Sequence, residues 1–225
     1  MKYHKLAIAL LFIALFCSCE PPVVFSEPQP KGVDALTSIP EDFQGTYWCD
    51  KDSVGLYVNK TLIYKSKLFD VALSHQEIED TEDLKLEDGQ LFLKNSKESF
   101  STIEKNGIIY STINLKDTLF SNQMRQHVLK QFKGRLILNN KISNTHWEVK
   151  IISLKPEGLL SLSKVDYPEN LTELENITTI KKIDSSDRMQ ILVSPTKIEF
   201  DKILNKKLIF AGNCQEFEPI SSLKQ

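Results

Sequence analysis

From Phe43 onward the chain alternates apolar and polar residues in short runs broken by turn residues. Val54, Leu56 and Val58 share one face of an extended segment, as do Leu62 with Tyr64, Leu84 with Leu86, and Leu91 with Leu93. Asp88-Gly89 and Asn106-Gly107 are two-residue hairpin signals, because Gly and Asn tolerate the positive φ such turns demand. They predict that strands 84–87 and 90–94 pair, and that 98–105 pairs with 108–115. Farther on, Trp147, Val149 and Ile151 alternate, and Pro156-Glu157-Gly158 turns the chain into Leu160 and Leu162. Turns this short cannot make the crossovers parallel strands require, so the expected architecture is mainly β: antiparallel sheets or a barrel-like meander.

Helical signals are few. Ser74 with Glu77 forms a capping-box pair ahead of a turn or two. Ser121 is placed to cap a segment in which Met124, Val128, Leu129 and Phe132 fall at helical spacing. Pro168 precedes Leu171 and Leu174, and Ser194-Pro195 precedes Ile198, Phe200, Ile203 and Leu204. Phe43-Gln44-Gly45 recurs as Phe132-Lys133-Gly134, and Leu119-Phe120-Ser121 as Leu192-Val193-Ser194. Either the body holds two tandem β-rich repeats, 43–131 and 132–225, or these short identities are a coincidence of composition.

The stretch ahead of Phe43 has another character. Glu20 to Pro40 holds five of the nine prolines among Ser, Glu and Gln, which predicts an extended tether over 19–42. Before it, Lys2 and Lys5 precede an apolar run of eleven residues, Leu6 to Phe16. That order of basic, apolar and small residues is the order of a secretory leader, here residues 1–18. The run is shorter than the roughly 20 residues a membrane-spanning helix needs. Ser18-Cys19 resembles the lipobox of bacterial lipoproteins, in which a small residue precedes the cysteine that is lipidated and becomes the first residue after cleavage. Phe16 stands where that family usually has leucine, and Cys17 is the rival acceptor, preceded by a bulky residue. The resemblance covers only this opening. It implies lipid attachment at Cys19 by a diacylglycerol thioether and an amide-linked acyl chain, with the membrane as partner. The implied address is the bacterial cell envelope, at the outer membrane by analogy with the class. More than one acyl chain gives stable attachment.

Formal charge is −2 for the chain and −4 once Lys2 and Lys5 leave with the leader. Basic and acidic residues are interspersed, so nothing here is built to neutralise nucleic-acid phosphates. Beyond Cys17 and Cys19 the cysteines are Cys49 and Cys214, in a compartment that permits disulfides. They are expected to pair, joining the two ends of the folded region; the alternative is two separately buried thiols. Neither has a second Cys or a His at metal-ligand spacing.

His75, His127 and His146 have no acid or nucleophile at a recognisable spacing, and no phosphate loop, nucleophile elbow or metal-binding motif occurs. No cofactor is implied. Gly45-Thr46-Tyr47-Trp48 is faintly similar to the Gly-x-Trp opening of lipocalin-type barrels, with one residue more between Gly and Trp. The expectation is a non-enzymatic envelope lipoprotein with a binding or structural role. Its alternatives are a lipocalin-like carrier of a small apolar molecule and a hydrolase whose site is assembled in space.

Overall fold

The computed structural model describes residues 21–94, 98–184, 189–210 and 214–220. Cys19 and the leader lie outside these residues. The chain is mainly β, and its sheet is mixed, open and not closed into a barrel. It divides into two compact units: residues 67–115, and residues 21–66 together with 116 onward.

In the smaller unit, β5 (Leu84–Glu87) pairs with β6 (Gln90–Leu93), and β7 (Ser99–Lys105) with the start of β8 (Ile108–Ser121). Both hairpins turn where expected. Asp88 and Gly89 have φ of 50° and 70°, and Asn106 and Gly107 have 53° and 74°, the two consecutive positive values of a type I′ turn. A one-turn helix α1 (His75–Glu79) follows β4 (Leu62–Ser74). The reciprocal box between Ser74 and Glu77 caps it. Leu73, Ile78, Leu84, Leu91, Ile109 and Ile113 close the core of this unit.

The larger unit starts earlier than its proline content suggests. Val23–Phe25 is a strand, β1, and all three residues are completely buried. β1 runs parallel to β14 (Met189–Val193), with Val23, Val24 and Phe25 opposite Ile191, Leu192 and Val193. Its other edge meets β11 (Trp147–Leu154) antiparallel at Phe25 and Trp147. The expected tether over 19–42 is therefore corrected from Pro21 onward. Two β-branched residues and a phenylalanine suit a buried strand better than a solvated linker, and prolines fall outside this run on both sides.

The sheet order continues from β13 (Ile180–Asp184) through β14, β1 and β11 to β12 (Leu160–Lys164) and β15 (Cys214–Pro219). It then passes to β2 (Gly45–Cys49), β3 (Val54–Val58) and β4. β10 (Arg135–Lys141) pairs with β11 on one edge and with β9 (His127–Phe132) on the other. Because β15, the last strand, lies against both β12 and β2, an early strand and the last one belong together, and the units do not follow the expected halves 43–131 and 132–225.

The helix expected from Ser121 is also corrected, since residues 127–132 form β9. The Lys133-Gly134 turn, with φ of 48° and 72°, returns the chain into β10. Cross-strand pairing over six positions thus overrides a helical spacing of apolar residues. With that helix goes the equivalence of the two repeats. Gln44, the counterpart of Lys133, has φ −73° and sits beside the 3-10 turn Glu41–Phe43, with none of the hairpin geometry.

Helices α2 (Leu171–Glu175) and α3 (Lys197–Lys206) form where Leu171 and Ile198 suggest. Their caps are Asn170 and Thr196, nearer the helix than Pro168 and Ser194. Two cores lie on opposite faces of β10 and β11. Leu136, Leu138 and Ile152 join one with Leu56, Phe120 and Phe217. Ile137, Val149 and Ile151 join the other with Phe25, Leu174 and Phe200.

Phe25 is fully buried, and its ring meets that of Phe200 edge to face at 6.1 Å. Phe25→Ala is expected to destabilise the protein by about 3–5 kcal/mol, the range for deleting a buried aromatic side chain. Denaturant unfolding, read as a lower midpoint, checks this.

Candidate functional site

One cleft of about 700 Å³ opens on the larger unit, walled by Cys49, Asp52, Leu162, Lys164, Cys214 and Gln215, with Lys51 and Glu216. Its walls come from the end of β2, the turn 50–53, the start of β15 and the end of β12. Ser53 at φ 51° completes that turn and leaves the Asp52 side chain over the cleft. Asp52 Oδ2 accepts a hydrogen bond from Gln215 Nε2 at 2.6 Å, and Cys49 Sγ approaches the same oxygen at 3.6 Å. Cys214 Sγ lies 2.7 Å from Ser161 Oγ. Glu216 is paired with Lys155. Lys164 stands directly across from Lys150 on β11. Burial, then the neighbouring charges of Lys65 and Lys150, push the ammonium of Lys164 below its ordinary pKa. The cleft thus offers thiols, carboxylates and two ammonium groups, with Leu162 as its hydrocarbon wall.

The structure brings the two expected cysteines to this cleft without joining them: both are free thiols, Cys49 buried and Cys214 exposed. Strand register supplies the reason. β15 and β2 pair Glu218 with Trp48 and Pro219 with Tyr47. Continuing that register sets Cys49 opposite Phe217, three residues along from Cys214. Three residues of strand are about 10 Å, beyond the roughly 4.4–6.8 Å between Cα atoms that a disulfide spans. The expected Cys49–Cys214 bond is corrected accordingly.

The histidines lie apart from the cleft walls. His75 faces Glu104 at 3.3 Å on the exposed side of the smaller unit. His146 sits in the turn between β10 and β11, where its carbonyl accepts from Ile142 N–H. His127 accepts the Ser121 N–H on Nδ1 at 2.9 Å and stacks on Phe120. Burial first, and Lys150 second, hold its pKa below the usual imidazole value, favouring the neutral acceptor that this hydrogen bond requires. Among the described residues no group of three or more His, Cys, Asp or Glu side chains gathers to hold a metal. Tyr47, from the lipocalin-like stretch, is buried and donates its hydroxyl to the Phe43 carbonyl at 3.1 Å, while Trp48 points to the other face and is partly exposed. Both are strand residues of a filled sheet.

A second polar arrangement escaped the reading of the sequence. Asn139, 1% exposed, accepts the Gln29 N–H on Oδ1 at 2.6 Å and donates Nδ2 to the Gln29 carbonyl at 2.9 Å. Lys130, 8% exposed, donates to the carbonyls of Pro28 and Pro30 at 2.9 and 2.8 Å, and burial lowers its pKa. These side chains clamp the segment after β1 to β9 and β10. The available signal was a polar residue, Asn139, directly after the apolar run Leu136-Ile137-Leu138.

No protein-family model, curated protein or solved structure matches the chain.

The thiol assignment has a direct check in protein whose Cys17 and Cys19 are replaced by alanine. Without reductant, one thiol, Cys214, is expected to react with a thiol reagent in the native state, and a second, Cys49, only after unfolding. No reactive thiol after unfolding would restore the disulfide.

Proposed function

We propose that this protein is an envelope lipoprotein, attached to the membrane through acyl chains on Cys19, whose folded body binds or scaffolds and does not catalyse. The observation that carries the reading is the opening of the chain: two lysines, an eleven-residue apolar run and Ser18-Cys19, followed two residues later by the first residue of a folded body. The outer membrane is the proposed address.

Packing within the larger unit favours this reading over its rivals. A carrier of a small apolar molecule needs an apolar interior cavity. Here both faces of β10 and β11 are packed with side chains, and the cleft on the larger unit is walled mainly by charged and polar groups. A hydrolase with a spatially assembled site needs a base close to a nucleophile. The one thiol near a carboxylate in the cleft, Cys49, is buried, and the Asp52 oxygen it approaches is held by Gln215, while none of His75, His127 and His146 lines the walls.

Metabolic labelling with palmitate tests the anchor. Cys19→Ala is expected to lose the label and to accumulate as unprocessed precursor, whereas Cys17→Ala keeps the label. Label retained in Cys19→Ala and lost in Cys17→Ala would move the anchor, and label in neither parent nor variants would end the proposal.

A further inference from the structure

The charges around the cleft of the larger unit do not cancel, and the surplus has a place. Lys150 and Lys164 stand opposite each other on β11 and β12, so their side chains leave the face on which Ile152 and Leu162 join the core of Leu56, Phe120 and Phe217. Lys65 belongs to that face too, two residues after the buried Ile63 on β4. Two of these three ammoniums have carboxylates: Lys65 meets Asp117 at 3.3 Å, and Lys150 meets Glu148 at 2.5 Å. The third has none. Among the described residues the Lys164 ammonium has no ion pair or hydrogen-bond partner, and its side chain lines the cleft.

After burial, the strongest influences on Lys164 are the like charges of Lys65 and Lys150, ahead of Asp117 and Glu148, so all four lie within electrostatic reach of it. Three ammoniums against two carboxylates leave one positive charge. The remaining charges at the cleft balance: Glu216 is paired with Lys155, and Lys51 offsets Asp52, whose Oδ2 already accepts from Gln215. A partly desolvated ammonium beside two like charges is relieved when an anion reaches it. One surplus charge matches a monoanion, whereas a phosphate monoester carries about −1.5 to −2 at neutral pH and would reverse the imbalance. Leu162 and the thiols of Cys49 and Cys214 give the other walls low polarity, and a volume of about 700 Å³ leaves room for hydrocarbon beside the charged end.

We propose that this cleft binds a small organic carboxylate, with its carboxylate accepting hydrogen bonds from the Lys164 ammonium and its hydrocarbon directed toward Leu162. The inference rests on reading the folded body as a binding domain, and it names the class of ligand. It does not depend on lipid at Cys19.

The test follows the backbone amide resonances of the lysines in full-length, lysine-labelled protein in a neutral detergent as butyrate is added, with butyramide and inorganic phosphate as comparisons. Lys164→Arg, which keeps the charge, assigns the Lys164 resonance by removing it. Butyrate is expected to shift Lys164 and Lys150 saturably, and butyramide and phosphate to need higher concentrations. Lys164→Gln should raise the half-saturating butyrate concentration about tenfold or more, the effect of losing a hydrogen bond to a charged group, and Lys164→Arg should bind nearly as well as the parent. Butyrate shifts in the parent that do not saturate, or that spare Lys164, overturn the site whatever the variants do. A Lys164→Gln protein with its other lysine resonances in place and undiminished affinity overturns it as well. Phosphate or butyramide saturating Lys164 at or below the butyrate concentration overturns the carboxylate class. Palmitate labelling of Cys19 is read separately on the same preparation, so a failed cleft and a failed anchor are told apart.

Discussion

Insertion of β1 between β14 and β11 is the constraint on which the larger unit depends. Among the described residues these three supply the one strand that pairs with both, so the β13–β14 hairpin belongs to the rest of the sheet through β1. Burying Val23, Val24 and Phe25 contributes about 1.5–3 kcal/mol each. Ordering a residue costs roughly 1–2 kcal/mol of backbone entropy. With the side-chain entropy added, burial and ordering are of similar size, so the strand also depends on its pairing with both neighbours.

The polar clamp behind β1 follows from the same insertion. Once residues 23–25 are paired, residues 28–30 pass over β9 and β10, and their backbone groups are removed from water. Unpaired, each such group would cost on the order of 1–3 kcal/mol. Asn139 satisfies both backbone groups of Gln29, and Lys130 takes the two flanking proline carbonyls. A buried ammonium is tolerated there because carbonyl oxygens replace its water. On the same face of β10, where Ile137 lies two residues from Asn139, Phe25 meets Phe200, and α3 closes over the sheet with Ile203 and Leu204.

Local features were legible in the sequence where a turn forces the answer. Asp88-Gly89 and Asn106-Gly107 set their hairpins, and the Ser74 box set α1, because each depends on residues within reach of one another. Features that depend on distant partners were hidden. β1 is three apolar residues among prolines, and only its neighbours, over 120 residues later, make it a strand. β10 shows no alternation, since Leu136, Ile137 and Leu138 bury against two different cores. β9 carries a helical spacing that its hairpin overrules. At the cleft, both cysteines were visible as a pair, yet the three-residue offset between them is a property of strand register, which no local signal reports.

Hydrogen exchange at the amides of Val23 to Phe25 tests the central claim most directly. A strand paired on both edges in the core of the larger unit should exchange only on global opening. Its protection should therefore equal that of Ile191 in β14 and Val149 in β11. Exchange at the rate of an unstructured chain, with β14 and β11 still protected, would return residues 21–25 to a tether and contradict the account.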